Sequence, residues 1–153
     1  MAEIPHLEFQ MRIAVEFDAP HTIVYGSIST RRILHVASGT FEGPALRGKV
    51  LPGGGDWVLL RRDGSAELDI RLTLKSAEGE LVYLRSTGLF VAAGSVATRI
   101  RNGEDVQPDD YYFRTSILFE TGSATLSHLN HSLHVGVGQR AARGMITDVF
   151  AIS

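Results

Sequence analysis

The chain has 153 residues, no cysteine and a formal net charge of -2. Its length fits one domain, residues 1–153, and the missing thiols exclude disulfides, thiolate metal sites and cysteine nucleophiles. Charges of both signs are interspersed and no apolar run approaches the roughly 20 residues of a membrane span, which argues against nucleic-acid and membrane partners. The start, MAEIPHLEFQMRIAVEF, lacks the basic and apolar regions of a secretory signal, so we expect a cytoplasmic protein.

Alternation of apolar and polar residues dominates the chain and predicts β-strands. The first strand places Leu7, Phe9, Met11, Ile13 and Val15 on one face. The dipeptide DG after DWVLLRR and the stretch AEGE predict two tight turns, typical of an antiparallel meander. The later predicted strands are, in chain order, RRILHVASGTFEGP, DWVLLRR, AELDIRLTLKS, LVYLRSTGLF, YYFRTSILFET, ATLSHLNHSLHVGVG and MITDVFAIS.

One stretch, SVATRIRNGEDVQP, departs from this alternation. Val96, Ala97 and Ile100 recur at helical spacing, and Ser95 is a suitable N-cap. Asn102-Gly103 is a typical helix end. The pattern therefore predicts one short helix crossing between strands.

A sheet of about eight or more antiparallel strands has to protect its edges, and closure does so completely. We therefore predict an all-β fold, a closed antiparallel meander β-barrel that is calycin-like or similar. A barrel of this size is filled by side chains or holds one small ligand. A two-sheet sandwich is the alternative.

The stretch SGTFEGPALRGKVLPGGGDWVLLRRDGSAELDIRLTLKSAEGELVYLRSTG resembles the DUF3237 family, also called UPF0311, as do YYFRTSILFETG and LNHSLHVGVG. The resemblance extends from about Leu7 to Ile152. It implies a small single-domain antiparallel barrel and leaves the activity open, since such proteins usually have none assigned. The family pattern carries charges at Glu67, Asp69 and Arg71, a Trp at Trp57, an Arg at Arg114 and an Asn at Asn130. The chain departs from that pattern near LSHLNHSLH, where relatives often have an aromatic residue near His128.

The strand AELDIRLTLKS places Glu67, Asp69 and Arg71 on one face, about 6.6 Å apart along the strand. Two carboxylates at this spacing raise each other's proton affinity, and a neighbouring guanidinium lowers it. Inside a cavity, these opposing effects would make one carboxylate a base and the other an acid. The alternation alone favours a solvated outer face, whereas the resemblance favours a face that lines the cavity. We adopt the second interpretation.

A cavity-facing ladder has a consequence for the other face of the same strand. Leu68, Ile70 and Leu72 would then point outward and would need a cover. We therefore expect a homodimer or a higher homo-oligomer.

Further candidate residues are polar or aromatic groups beside predicted bends and strand ends. Asp56 and Trp57 follow three glycines, so Asp56 could stand at the cavity mouth and Trp57 could pack a ring, although a turn with a core indole is the alternative. Tyr112 and Arg114 share one strand face and could donate to a ligand oxyanion, although an interfacial tyrosine with a surface arginine is equally possible. The other candidate contacts are Glu42, which could instead accept backbone N–H bonds, Tyr83 and Asn130.

Three histidines raise the question of a metal site. On a strand, His128 and His134 share a face while His131 points the other way, so one ion cannot be bound by all three. We expect no metal, and a lone histidine acting as acid or base is a weaker alternative.

These residues predict a cofactor-free acid/base enzyme of the isomerase, cyclase, hydratase or lyase type, acting on a small carbonyl or phenolic molecule. Glu67 or Asp69 would move the proton. Arg71, Arg114 and Tyr112 would stabilise negative charge on oxygen, and Trp57 would pack the ring. A barrel that binds a small molecule without changing it is the main alternative, and an assembly protein with a solid core is the third.

Overall fold

A computed structural model describes residues 1–27 and 29–153. Within these residues the chain forms ten β-strands and one α-helix. In chain order the elements are β1 (Leu7–Phe17), β2 (His21–Tyr25), β3 (Ser29–Glu42), β4 (Arg47–Val50), β5 (Gly55–Leu60), β6 (Ala66–Ser76), β7 (Leu81–Ala92), α1 (Gly94–Arg101), β8 (Tyr111–Thr121), β9 (His134–Ala141) and β10 (Gly144–Ile152).

The strands close into an eight-stranded antiparallel barrel with two additional strands. Hydrogen-bonded neighbours follow the order β1, β10, β9, β8, β7, β6, β4, β3, and β1 also pairs with β3 to complete the circle. The strands β4 and β5 share the position between β3 and β6, and β2 pairs with the first residues of β3. The predicted closed meander barrel is therefore confirmed, while the short strands β2 and β4 were not predicted.

Both predicted tight turns are present. Gly64 has a φ of +88° between β5 and β6, and Gly79 has the same φ between β6 and β7. Glycine adopts this left-handed backbone without the steric cost of a Cβ atom. Each turn therefore returns the chain directly into an antiparallel partner strand.

The predicted short helix is α1, and its end is where the sequence indicates. Asn102 is the C-cap, and Gly103 follows with a φ of +75°. The expected cap at Ser95 is wrong, because the helix begins at Gly94 and its N-cap, Ala93, lies two residues before Ser95 and makes no side-chain capping bond. Among the described residues, no helix is long and apolar enough to span a membrane.

The predicted strand ATLSHLNHSLHVGVG is only partly a strand. A 3-10 helix occupies Ser127–His131, and β9 begins at His134. His128 and His134 therefore do not share a strand face. The ring of His134 is buried against Phe119, and its Nδ1 lies 3.1 Å from the Ser132 carbonyl oxygen.

Candidate functional site

The ladder on β6 faces outward, so the expectation that it lines the cavity is wrong. The side chains of Glu67, Asp69 and Arg71 are 48%, 45% and 54% exposed. Leu68 and Ile70, on the opposite face, are 7% and 2% exposed and belong to the core. Burying the apolar face removes it from water, and this outweighs any grouping of charges inside the barrel.

Because the ladder faces outward, the reason for expecting an oligomer no longer holds. Leu68, Ile70 and Leu72 are covered by the barrel itself and need no second subunit. Oligomerisation therefore stays a prediction from sequence, without this support.

An open groove of about 880 Å³ crosses the outer faces of β5 to β9. We call it the outer groove. It brings together five of the predicted site residues, namely Trp57, Glu67, Asp69, Tyr112 and Arg114. The sequence therefore predicted a real cluster of side chains, but placed it on the wrong side of the barrel wall.

The acidic groups of the outer groove have cationic partners on the protein surface. Glu67 accepts a hydrogen bond from Arg61 at 2.9 Å. The carboxylate of Asp69 lies 3.8 Å from Arg71. Such solvated pairs contribute little energy.

The aromatic members of the outer groove also contact neighbouring side chains. Tyr112 and Arg114 share one face of β8, as predicted, but that face points outward, and the guanidinium carbon lies 5.5 Å from the ring centroid. Trp57 is half-buried, its ring lies edge-on to His35 at 6.2 Å, and its carbonyl oxygen accepts a bond from Arg31 at 3.0 Å. Trp57 is thus neither a wall of the barrel interior nor a core indole.

Three other predicted contacts lie apart from the outer groove. Glu42 is exposed at the end of β3, beside the ion pair of Arg12 and Asp148, and does not reach a barrel mouth. Tyr83 and Asn130 line a shallow surface pocket. The side-chain amide of Asn130 exchanges two 2.8 Å hydrogen bonds with the backbone of Thr121, so its polar atoms already serve the fold.

A second cavity, of about 680 Å³, lies inside one end of the barrel. We call it the lumen cavity. Its walls are inward-facing apolar side chains, and the helix α1 contributes Ala97 and Ile100 at its mouth. The opposite end of the barrel is filled by packed side chains, including Phe41, Leu74 and Leu129. Wall residues include Leu34, Val58, Leu60, Leu68, Phe90 and Phe113.

Asp56 is the buried carboxyl group of the lumen cavity. Its side chain is 3% exposed, and within residues 1–27 and 29–153 it is the one buried carboxylate. The ladder between β5 and β6 is interrupted after Asp56, and the backbone N–H of Asp69 donates to the Asp56 carboxyl at 3.2 Å. Burial raises the pKa of Asp56 to about 7, and the hydrogen bond from Asp69 opposes this rise. The sequence predicted Asp56 as a ligand contact at the cavity mouth, and the mouth position is wrong, because the side chain is buried in the cavity wall.

Two hydroxyls lie deeper in the barrel. A void of about 10 Å³ is lined by Ser86 and Thr115, whose side-chain oxygens have no hydrogen-bond partner in the described part of the chain. Met145 lines both this void and the lumen cavity. Both hydroxyls were missed, although the alternation marks them as polar residues on otherwise apolar inward faces.

The mouth of the lumen cavity carries arginines that sequence reasoning also missed. These residues belong to distant segments, and only closure of the barrel brings them together. We call them the arginine rim, and they are Arg32, Arg61, Arg101, Arg140 and Arg143.

Solved structures with this fold cover almost the whole chain. A conserved protein of unknown function from Rhodopseudomonas palustris superposes with a TM-score of 0.91 at 27% identity, covering 100% of both chains. A β-barrel-like protein from Acinetobacter baumannii gives 0.86 at 30% identity, covering 100% of this chain and 99% of the other. An enzyme from Penicillium herquei gives 0.77 at 15% identity, covering 100% and 98%, which is a likeness of fold alone.

Sequence comparison agrees with these superpositions. A UPF0311 protein of Clostridium acetobutylicum is 31% identical over 142 residues, which are 92% of this chain and 90% of the relative. The pattern of the DUF3237 family, described as proteins of unknown function, matches residues 5–152. The chain therefore belongs to the DUF3237 family, also called UPF0311.

Proposed function

We propose that the protein is a cofactor-free acid/base enzyme that binds a small carbonyl or phenolic molecule in the lumen cavity. The observation that carries this proposal is the burial of a single carboxyl group, Asp56, in the wall of an otherwise largely apolar cavity. A cavity of about 680 Å³ has the size of ordinary small-molecule sites. The reaction would be of the isomerase, cyclase, hydratase or lyase type.

Asp56 is suited to take up and return a proton. With a pKa raised to about 7, its acid and base forms are both populated near neutral pH, which favours general acid/base catalysis. The carboxylate would take a proton from a phenolic O–H or from a C–H beside a carbonyl. The resulting acid would return the proton to another atom of the same substrate, so no electrons are gained or lost overall.

The hydroxyls of Ser86 and Thr115 are candidate donors to a developing oxyanion. Neither oxygen has a protein partner among the described residues, and both are at most 5% exposed. Donors held in place without water stabilise negative charge that forms during a reaction. They replace Tyr112, Arg114 and Arg71 in this role, since those three lie outside the barrel.

The sequence-based assignment of Glu67 and Asp69 as proton carriers required an enclosed ladder. Both side chains are about half exposed and lie outside the barrel wall. We therefore assign the proton-carrying role to Asp56. A catalytic role for Glu67 or Asp69 stays a prediction from the sequence. The relative described as an enzyme from Penicillium herquei supports only the compatibility of this fold with catalysis.

The test is proton NMR of small ketones and phenols incubated with the protein in deuterated water. We expect at least one compound to exchange a proton or rearrange. Asp56→Asn should lower that rate by about a hundredfold or more, the usual range for a lost acid/base group. The matched control is Glu78→Gln, which removes an exposed carboxylate in the turn between β6 and β7 and should keep the wild-type rate.

Two results would count against the enzyme. Full activity in Asp56→Asn would remove this residue from the chemistry. Compounds that bind in the lumen cavity and are recovered unchanged, without deuterium, would favour the alternative of a non-catalytic binding barrel.

A further inference from the structure

The arginine rim is strongly unbalanced in charge. Five guanidinium groups line the mouth of the lumen cavity, and among the described lining residues the carboxylates are Asp18 and the buried Asp56. Arginines concentrated around a concave, low-dielectric opening create a positive potential that attracts anions.

The side chains of three rim members have no hydrogen-bond or ion-pair partner in the described part of the chain. Arg61 is bonded to Glu67, and Arg101 donates to Thr98 at 3.0 Å. By contrast, the side chains of Arg32, Arg140 and Arg143 form no ion pair or hydrogen bond with any residue in the described ranges. Their guanidinium groups are therefore available to a ligand.

The rim does not serve to neutralise Asp56. The pKa of that carboxyl is raised by its burial and by the charge of Asp69, and no arginine is among the causes. The arginines therefore leave the Asp56 carboxyl uncompensated.

The strand register sets the spacing between the rim and Asp56. Asp56 is opposite Leu34, and Arg32 is opposite Val58, so Arg32 is one inward-facing position nearer the mouth. Inward positions on a strand are about 6.8 Å apart, roughly the length of a substituted benzene ring. A molecule of this length spans from the rim to the buried carboxyl.

Part of the wall of the lumen cavity is aromatic. The rings of Phe90 and Phe113 are 5.6 Å apart in an edge-to-face arrangement, and both line the lumen cavity. The hydroxyl of Tyr111 accepts a 2.8 Å bond from the backbone N–H of Arg140, which fixes the end of β9 beside this wall. Aromatic side chains of this kind pack favourably against a ligand ring.

From these observations we infer that the ligand of the lumen cavity is a small aromatic acid. Its ring would lie against Phe90 and Phe113, and its carboxylate would be bound at the mouth by Arg32 and Arg140. A guanidinium binds a carboxylate through two parallel hydrogen bonds, which gives orientation as well as affinity. This inference rests on the proposed function in using the same cavity, and it adds the chemical class of the substrate.

Calorimetric titration with matched ligand pairs tests the inference. The probes are benzoate, 4-hydroxyphenylacetate and 4-hydroxycinnamate, each beside its neutral methyl ester. We expect at least one acid to bind about tenfold or more tightly than its ester, and molar salt to weaken only the acid. The double variant Arg32→Gln/Arg140→Gln should abolish the preference. Arg85→Gln, on the exposed face of β7, is the matched control and should retain it.

The salt dependence is measured on the wild-type protein, so the test does not depend on the variants folding. A wild-type protein that prefers no acid over its ester would overturn the inference, as would a preference that survives the double substitution. Asp56→Asn separates this failure from that of the proposed function. If neutral esters are converted and the reaction requires Asp56, the proposed enzymatic function is supported, and only the inference that the substrate is an aromatic acid is wrong.

Discussion

Asp56 and Asp69 are joined across the barrel wall by a 3.2 Å hydrogen bond from the backbone N–H of Asp69 to the carboxyl of Asp56. The Asp56 side chain lies inside the barrel and is 3% exposed. The Asp69 side chain lies outside, 3.8 Å from Arg71. Two residues of one type thus occupy opposite environments, and burial raises the pKa of the inner one, Asp56, to about 7.

The first prediction concerns stability against pH. The pKa of Asp56 is raised from 3.8 to about 7, so between these values the folded state keeps a proton that the unfolded chain loses. The free energy of unfolding should therefore fall as pH rises through this window, by up to about 4 kcal/mol at roughly 1.4 kcal/mol per pKa unit. Urea unfolding of the wild type and of Asp56→Asn, at a series of pH values, measures this contribution.

The contribution of His134 to the free energy of unfolding has the opposite pH dependence and must be separated from that of Asp56. Burial lowers its pKa from the ordinary 6.5, so its contribution to stability is lost as pH falls below that value. Since both proteins contain His134, the difference between wild type and Asp56→Asn isolates Asp56. A difference that does not change with pH would show that Asp56 is ionised at its ordinary pKa.

The second prediction concerns the unpartnered hydroxyl of Thr115. Thr115→Val removes a buried oxygen that lacks a hydrogen bond, and it should raise the free energy of unfolding by up to about 1 kcal/mol. The control is Thr121→Val, because that hydroxyl donates to the Leu81 carbonyl at 2.8 Å and its loss should cost about 1 kcal/mol. Marked destabilisation by Thr115→Val in urea unfolding would mean that a buried partner, such as water, satisfies this oxygen.

The third prediction concerns the width of the lumen cavity. A methyl group at Gly138 would collide with the ring of Phe113, which lines the cavity. Gly138→Ala should therefore displace the ring, cost about 1–3 kcal/mol through overpacking and weaken the binding of aromatic acids. Gly122→Ala is the control, since a methyl there meets no atom within 4 Å. Unchanged affinity in calorimetry with Gly138→Ala would argue against a ligand beside Phe113.

The fourth prediction concerns the outward ladder. Glu67→Gln and Asp69→Asn remove charges from exposed ion pairs, and each should change the free energy of unfolding by less than about 1 kcal/mol. Ligand affinity in the lumen cavity should be unchanged in both variants. A large loss of affinity in either would move the site to the outer groove.

The face alternation of β6 could be read from the sequence, but its orientation was misjudged. Alternation places Leu68 and Ile70 on one face and Glu67 and Asp69 on the other, but it does not determine which face points into the barrel. The hydrophobic effect decides that question, and here it places the leucine face inside. The resemblance to a family pattern favoured the opposite orientation. That inference was unsound, since a charged residue shared among relatives does not show whether its side chain points into or out of the barrel.

The lumen site depends on contacts that local patterns do not contain. Arg32 and Arg140 are far apart in sequence, and they line the same cavity only because the barrel closes, with β1 pairing with both β3 and β10. The burial of Asp56 likewise depends on the walls contributed by several strands. The helix α1, by contrast, was predictable because its apolar spacing and its Asn102-Gly103 end are local signals.

The most direct test of the central claim is methyl NMR of the protein titrated with the three aromatic acids. Val58, Leu60 and Leu34 report on the lumen cavity. Leu59, Leu89 and Val137 report on the outer groove. We predict that the first set shifts on ligand addition and that the second stays unchanged, with Asp56 titrating near pH 7 in the unliganded protein. Shifts confined to the second set would contradict the account and place the site outside the barrel.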